Sequence, residues 1–324
     1  MSDSGPIFVS GIQRTGTSLI YALLASHPGI AMTRRTNWWT FFDGRFGDLV
    51  DDGSLDRCLG MMMRYRRHAK LQPDWARLRE DFRAGERSYC RLFALLEEQH
   101  AARVGKRRWG DKSLNTERYA DRVFACFPDA RILHMIRDPR DRHASVLKRW
   151  KSRGGVGSAT AAWLASVELA ERNVARYPNQ FRIVRYEDLA AEPEATLREL
   201  CQFIGEPFEP AMLSMSGASD FRDAGGNSSF GRFAVGQIST ASIGRYRDVL
   251  SGADIAFMHR HAGQAMKRHG YPTSRPELGT PAMLRYRLVE QPVNLVIMGA
   301  WHLRERWQTM TGRRPSAHTI LEDG

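Results

Sequence analysis

Pro6-Ile-Phe-Val-Ser-Gly-Ile-Gln-Arg-Thr-Gly-Thr-Ser18 is the stretch on which the fold turns. Its first half is a short apolar run over residues 6–10 that closes at Gly11, which predicts a buried strand. From Thr17 to Ser26, Leu19, Ile20, Leu23 and Leu24 recur at the spacing of a helix packed by one face, and His27-Pro28-Gly29 stops it. Strand, tight loop and helix in that order aim several backbone N–H groups and the positive end of a helix at one spot, where an anion is favoured. Glycine at 11 and 16 lets the chain turn and approach such a ligand closely.

The spacing of these glycines matches a Walker A loop, but Thr17 stands where that motif has its lysine. An ATPase or GTPase would thereby lose the cation that reaches the β- and γ-phosphates. Positive charge comes earlier instead, from Arg14. The loop therefore reads as a cradle for a shorter anion, with Gln13, Arg14, Thr15, Gly16, Thr17 and Ser18 as its residues.

A second anion site is legible in Arg131-Ile-Leu-His-Met-Ile-Arg137-Asp-Pro-Arg-Asp-Arg-His-Ala-Ser145. Residues 131–136 predict a strand, and Asp138-Pro139 is a strong helix start, so a helix is expected from about Pro139 to Trp150. Arg137 then leaves the strand end and Ser145 lies in the second turn of the helix. A guanidinium with a hydroxyl nearby can grip a phosphate. The competing reading pairs Arg137 with Asp138 or Asp141 as a helix-start salt bridge.

Further strand and helix signals lie near Phe181 to Tyr186 and from Pro193 to Ile204, and a helix from Ala253 to His269 closes at Gly270. Strands alternating with helices predict an α/β fold, a parallel sheet with helices on both faces, which gathers ligands at the carboxyl ends of its strands. Residues 30–108 read as mostly helical insertions: a Met- and Arg-rich patch from Met61 to Lys70, a helix over 88–101, and a cluster of Trp38, Trp39, Phe41 and Phe42. That cluster fits core packing and the lining of an acceptor pocket equally well. Gly225-Gly-Asn-Ser-Ser229 reads as a mobile loop.

Together these segments resemble the PAPS-dependent sulfotransferases (PAPS, 3′-phosphoadenosine 5′-phosphosulfate; PAP, 3′-phosphoadenosine 5′-phosphate). The likeness is closest to the bacterial branch, which is itself similar to the Golgi tyrosylprotein and carbohydrate enzymes. Phe8 to Ser18 resembles the family's 5′-phosphosulfate loop, and Arg137 and Ser145 have the spacing of its 3′-phosphate pair. Trp109-Gly-Asp-Lys112, Arg185-Tyr-Glu-Asp-Leu189 and Ile243-Gly-Arg-Tyr-Arg247 follow in the family's order, over about residues 6–272. The resemblance implies a P-loop-like sulfotransferase fold over residues 5–272, with residues 273–324 as a C-terminal helical extension. It implies PAPS as co-substrate, PAP as product, and no metal. Arg14 and the Gly16–Ser18 backbone would hold the 5′-phosphate, Lys112 would neutralise the bridging oxygen, and Arg137 and Ser145 would hold the 3′-phosphate. Tyr186 and the loop around Arg232 would contact the nucleotide, although a core role suits Tyr186 as well.

One departure concerns the base. Related enzymes place a glutamate in the segment matching Ala31-Met-Thr-Arg-Arg-Thr-Asn37, and here Arg35 stands at about that position. Arginine cannot accept a proton. Asp111, beside Lys112, is the nominated substitute; Asp43 is a second candidate. A second reading has an acidic or amine-like acceptor that needs little base help and is bound by Arg34 and Arg35, and a third has a protein that binds PAPS yet catalyses poorly.

The bulk numbers fit this picture. The formal charge of +12 calls for an anionic partner. No helix-turn-helix, zinc or RNP-type motif accompanies it and the basic residues are dispersed, so nucleic acid is not the expected partner. A P-loop phosphotransferase is the rival enzyme. Cys58, Cys90, Cys126 and Cys201 are widely spaced and are read as reduced, buried thiols. With no signal peptide and no stretch of about 18 apolar residues, a cytoplasmic protein is expected. The acceptor is expected to be a small or lipid-like molecule, aromatic if the Trp38–Phe42 rings line its pocket. Beyond Pro272, Pro276, Gly279 and Pro281 suggest a linker, and residues 282–310 mix apolar and basic side chains. This tail can dock on the domain, pair in a homodimer or touch a membrane surface, the first two being favoured.

Overall fold

The computed structural model describes residues 5–150, 155–224, 226, 237–273 and 278–311. Five parallel strands form one sheet: β1 (Ile7–Ser10), β2 (Ile30–Arg34), β3 (Arg108–Lys112), β4 (Arg131–Ile136) and β5 (Phe181–Arg185). Their spatial order is β2-β3-β1-β4-β5, so β1 is central and the strands after it fall to both sides. That puts the switch in strand order at the carboxyl end of β1, where ligand crevices form in such sheets.

Side chains alternate across the sheet. Phe8, Ala31, Trp109, Ile132 and Phe181 face one core with Trp38, Trp39 and Phe93, while Ile7, Val9, Met32, Leu133 and Val184 face a second with Leu19, Ile20 and Leu23. The predicted strand–loop–helix at the start is present, the helix running Thr17–Ala25. Pro139–Arg149 and Pro193–Ile204 are helices, each with proline in its first turn, and Gly252–Arg268 follows a Ser251–Asp254 capping box.

Residues 30–108 are mostly helical, as expected, but they open with β2 and lead into β3, and two further expectations need correction. Arg108-Trp-Gly-Asp-Lys112 carries one large apolar side chain and lacks the run that marks a strand, because its polar residues serve buried contacts instead. Trp38, Trp39, Phe41 and Phe42 are all buried, Trp38 stacking on Phe93 at 4.9 Å and on Phe42 at 5.5 Å, so they pack the core and line no acceptor pocket. Cys90 and Cys126 form a disulfide with Cα atoms 5.4 Å apart, whereas Cys58 and Cys201 are buried thiols. Helices Tyr89–Arg103 and Ala120–Cys126 bring that pair together from 36 positions apart, beyond any short spacing motif.

The tail docks on the domain. Thr280–Arg285, a π-helical turn Tyr286–Glu290 and Gln291–Thr311 run on as one rod. It lies along the Val156–Arg176 helix so closely that a Cβ on Gly157 would come within 2.2 Å of the Asn294 carbonyl oxygen. Gly157 N–H donates to Asn294 Oδ1 at 3.2 Å, Arg118 pairs with Glu305, and Tyr286 joins a core with Tyr246 and Phe257. Among the described residues no helix is long and apolar enough to cross a membrane. Arg232 and all of the Gly225–Ser229 loop except Gly226 lie outside the described residues.

Candidate active site

The loop after β1 has the backbone its glycines predict. Gly11 and Gly16 take φ of +138° and +95°, and a Cβ on Gly16 would meet Tyr186 Cδ2 at 2.4 Å. Arg14 is also left-handed, with φ of 70°. Thr15 Oγ1 donates to the Ile12 carbonyl at 2.8 Å, and the buried Arg142 donates from Nε to the Gln13 carbonyl at 3.0 Å. Thr17 and Ser18 begin the helix, directly after the Gly16 cap.

On the neighbouring strand, Arg137 leaves the end of β4 and is 4% exposed. Its guanidinium lies 4.4 Å over the Tyr186 ring, its Nη2 donates to the Ser242 carbonyl at 2.6 Å, and its buried Nε has no partner. Tyr186 and Ser242 hydroxyls sit 2.6 Å apart. The helix-start salt bridge is not made by Arg137. Asp138 pairs with Arg140 at 2.6 Å, and Asp141 accepts the N–H groups of Gly244 and Tyr246 at 2.7 and 2.8 Å. Asp141 thereby fastens the Ile243–Arg247 segment against the site. Ser145 is fully buried and accepts from Arg14 Nε at 2.8 Å, so the arginine of the first loop reaches the hydroxyl of the second site. Tyr186 is 1% exposed, as a core role requires, and its ring packs beside Gly16 and under the Arg137 guanidinium.

Lys112 ends β3, in register with Val9 on one side and Arg34 on the other. It is 5% exposed, on a strand and not on a solvated loop. Burial, with Arg35 and Arg34 nearby, brings its ammonium down to about 8. Asp111, one residue earlier, turns to the opposite face of the sheet. There Thr33 Oγ1 lies 3.1 Å from Asp111 Oδ1 and 2.9 Å from Glu97 Oε1, all fully or nearly buried. One hydroxyl proton cannot serve two carboxylates, and burial pushes both acids up, Glu97 further because Asp111 adjoins it. Both acids are therefore held within the core and shifted towards their protonated forms, and Asp111 does not face the cavity side of Lys112.

Arg35, at the position expected for a base, is exposed and left-handed with φ of 59°. Its N–H donates to the Lys112 carbonyl at 2.8 Å, and its carbonyl accepts from Tyr65 at 2.8 Å. Asp43, the other acid considered, pairs with Arg122 at 3.1 Å. The sequence reading missed Tyr65, Ser242 and Asp141. Tyr65 lies inside the Met- and Arg-rich patch, whose Met62 is indeed buried, but no spacing announces that its hydroxyl holds residue 35.

A phosphate-loop-like turn at the central strand of a parallel sheet, with a second basic corner on the next strand, defines a P-loop-like α/β protein. Residues 6–210 match the sequence model of the Sulfotransferase family, and the chain belongs to that family. It is 24% identical over 223 residues to protein-tyrosine sulfotransferase A of Caenorhabditis elegans, covering 64% of this chain and 51% of that protein. To carbohydrate sulfotransferase 5 of Mus musculus it is 27% identical over 177 residues, 46% of this chain and 43% of that one. The chain thus spans about half the length of these relatives or less. In fold it is similar to the sulfotransferase domain from the Synechococcus PCC 7002 olefin synthase, with a TM-score of 0.57 at 20% identity over 85% of this chain and 98% of that one.

Proposed function

We propose that this chain transfers a sulfuryl group from PAPS to a hydroxyl or amine acceptor, releasing PAP. The observation that carries the reading is Arg137: a guanidinium 4% exposed, with no ion pair among the described residues and with Nε unpartnered. Leaving a buried cationic donor unsatisfied is costly, and an anion at this corner would satisfy it. The glycine cradle supports the same fit, since a side chain at Gly16 would fill it.

In this reading Arg137, Ser145 and Tyr186 hold the 3′-phosphate end. Arg14, Thr15 and the Gly16–Ser18 backbone, with Gln13 shaping the turn, hold the 5′ end. Arg232 is carried as a further contact from the resemblance alone. PAPS brings the sulfuryl group on a phosphate leaving group, so an acceptor oxygen–sulfur bond replaces the bridging one and the acceptor's proton is released. Lys112 then supplies a desolvated positive charge where the leaving oxygen gathers negative charge, which is where electrostatic stabilisation is worth most. Asp111 is assigned to positioning β3 beneath Lys112.

A cytoplasmic location belongs to the same reading. A reducing compartment would keep Cys90 and Cys126 as thiols, so the disulfide between them weighs against that location.

Calorimetric titration with PAP and with AMP tests the cofactor. Wild type should prefer PAP, and Arg137→Ala should erase the preference at a cost of about 2–5 kcal/mol in PAP binding. If PAP binds no better than AMP, or magnesium-ATP binds more tightly than PAP, the phosphotransferase reading replaces this one.

A further inference from the structure

Between the Val156–Arg176 helix and the C-terminal Gln291–Thr311 helix lies a cavity of about 1070 Å³. Its wall includes Ile12, Thr40, Asn115, Arg118, Trp301 and Trp307. Three chain segments lead into that wall from the site described above. Ile12 belongs to the anion loop itself. Asn115 comes three residues after Lys112, and its N–H donates to the Gly11 carbonyl at 3.1 Å. Thr40 follows the Arg35–Asn37 segment and donates its N–H to the Asn37 carbonyl at 3.1 Å. The cavity thus adjoins the ends of β1, β2 and β3 together.

We propose that this cavity receives the acceptor, and that the C-terminal helix, which lies outside the stretch matching the family, sets acceptor choice. The inference rests on the sulfuryl-transfer reading. Its size suits a small organic molecule, for which pockets of roughly 300–1000 Å³ are usual. Part of the lining suits an acceptor with an apolar body, beside charged or titratable groups at Glu117, Arg172, His302 and Arg306. Trp301, Trp307 and Met310 come from the tail and Leu169 from the facing helix, while Arg118 is neutralised by Glu305. Polar groups cluster where the loop enters, at Asn115 and Ser166, so a hydroxyl would point inward. Trp307 is 50% exposed and Met310 86%, which leaves the far end open to solvent and to a longer chain. The ligand class is therefore a small alcohol with an aromatic or short alkyl body. Its aromatic wall comes from the tail and not from Trp38–Phe42.

The test is calorimetry of 2-naphthol, 1-octanol and an acidic tyrosine peptide against the PAP complex of the full chain. The variants are Ala165→Trp, which fills the cavity from the Val156–Arg176 helix, and Trp307→Ala, which removes a half-exposed wall and leaves the core intact. Both alcohols should bind wild type and the peptide should not. Each variant should weaken alcohol binding about tenfold or more, while PAP affinity stays within about twofold. If Ala165→Trp fails to fold, Trp307→Ala decides. Alcohol binding that survives the variants, or no alcohol binding to a wild-type complex that does hold PAP, overturns the proposal. Failure of wild type to bind PAP at all brings down the sulfuryl-transfer reading instead, and this inference with it.

Discussion

Lys112 offers the sharpest test, because one charge links stability to ligand binding. The side chain is 5% exposed, and its ammonium falls from 10.5 in the unfolded chain to about 8 in the folded one, through burial first and then through Arg35. Between those two values the unfolded state binds more protons, so stability rises with pH across that window. Below about pH 8 both states are charged, and the gap of about 2.5 pH units amounts to roughly 3 kcal/mol against folding. By about pH 9.5 less than half of that remains. Lys112→Met removes the burden, so urea unfolding should find it about 2–3 kcal/mol more stable than wild type near pH 7. The difference should shrink by about 2 kcal/mol towards pH 9.5. PAP affinity should behave in the opposite sense, falling in wild type as pH climbs through about 8 and holding on further in Lys112→Arg. A Lys112→Met variant no more stable than wild type near neutrality, or a difference flat with pH, refutes the reasoning.

Three other variants or treatments probe separate parts of the molecule. Gly16→Ala combines φ of +95° with a Cβ 2.4 Å from Tyr186 Cδ2, so it should lose on the order of 1–3 kcal/mol of stability and most PAP binding; unchanged melting and affinity would mean the loop is not held as described. Thiol titration of the denatured, unreduced protein should find two reactive thiols, Cys58 and Cys201, and reduction should then cost about 2–4 kcal/mol of stability; four thiols in protein purified without reductant would show Cys90 and Cys126 unjoined. Asp111→Asn should leave PAP affinity within about threefold and spare most of kcat, whereas a general base at that position would cost about 10²–10⁴-fold.

What the sequence disclosed was the part of the site built from local chemistry. Gly11 to Ser18 and Arg137 to Ser145 each run from a strand end through a turn into one helix, so spacing alone places their backbone. Arg137 also shows the limit, since from sequence its pairing with Asp138 or Asp141 was equally open. The choice depends on Ser242, Gly244 and Tyr246, which arrive from about a hundred residues away and take up the carbonyl and carboxylate partners. β3 was hidden for a related reason: a strand whose side chains serve polar contacts lacks the apolar signal that marks strands. The opposite faces of Asp111 and Lys112 follow at once from strand geometry, but only when the segment is known to be a strand. The disulfide and the tail cavity are purely tertiary, set by which helices the sheet brings together.

The charges around Lys112 bear on how such a site can work without the expected glutamate. Arg34, Arg35 and Arg67 all press its pKa downward, and the carboxylate that opposes them, Asp111, is on the far face and itself pushed towards the protonated form. An arginine at position 35 cannot take a proton, and its backbone is spent on holding the Lys112 carbonyl. In the proposed transfer the described cations therefore stand on the leaving side. In a loose transition state charge builds on the departing oxygen before the incoming bond demands much of the acceptor, so a buried cation there contributes more than a base would. A base would give activity a rising limb as it loses its proton in the acid range. A cation gives a falling limb as it loses its own. For the proposed transfer, with Lys112 near 8, the limb expected is the falling one, just above neutrality.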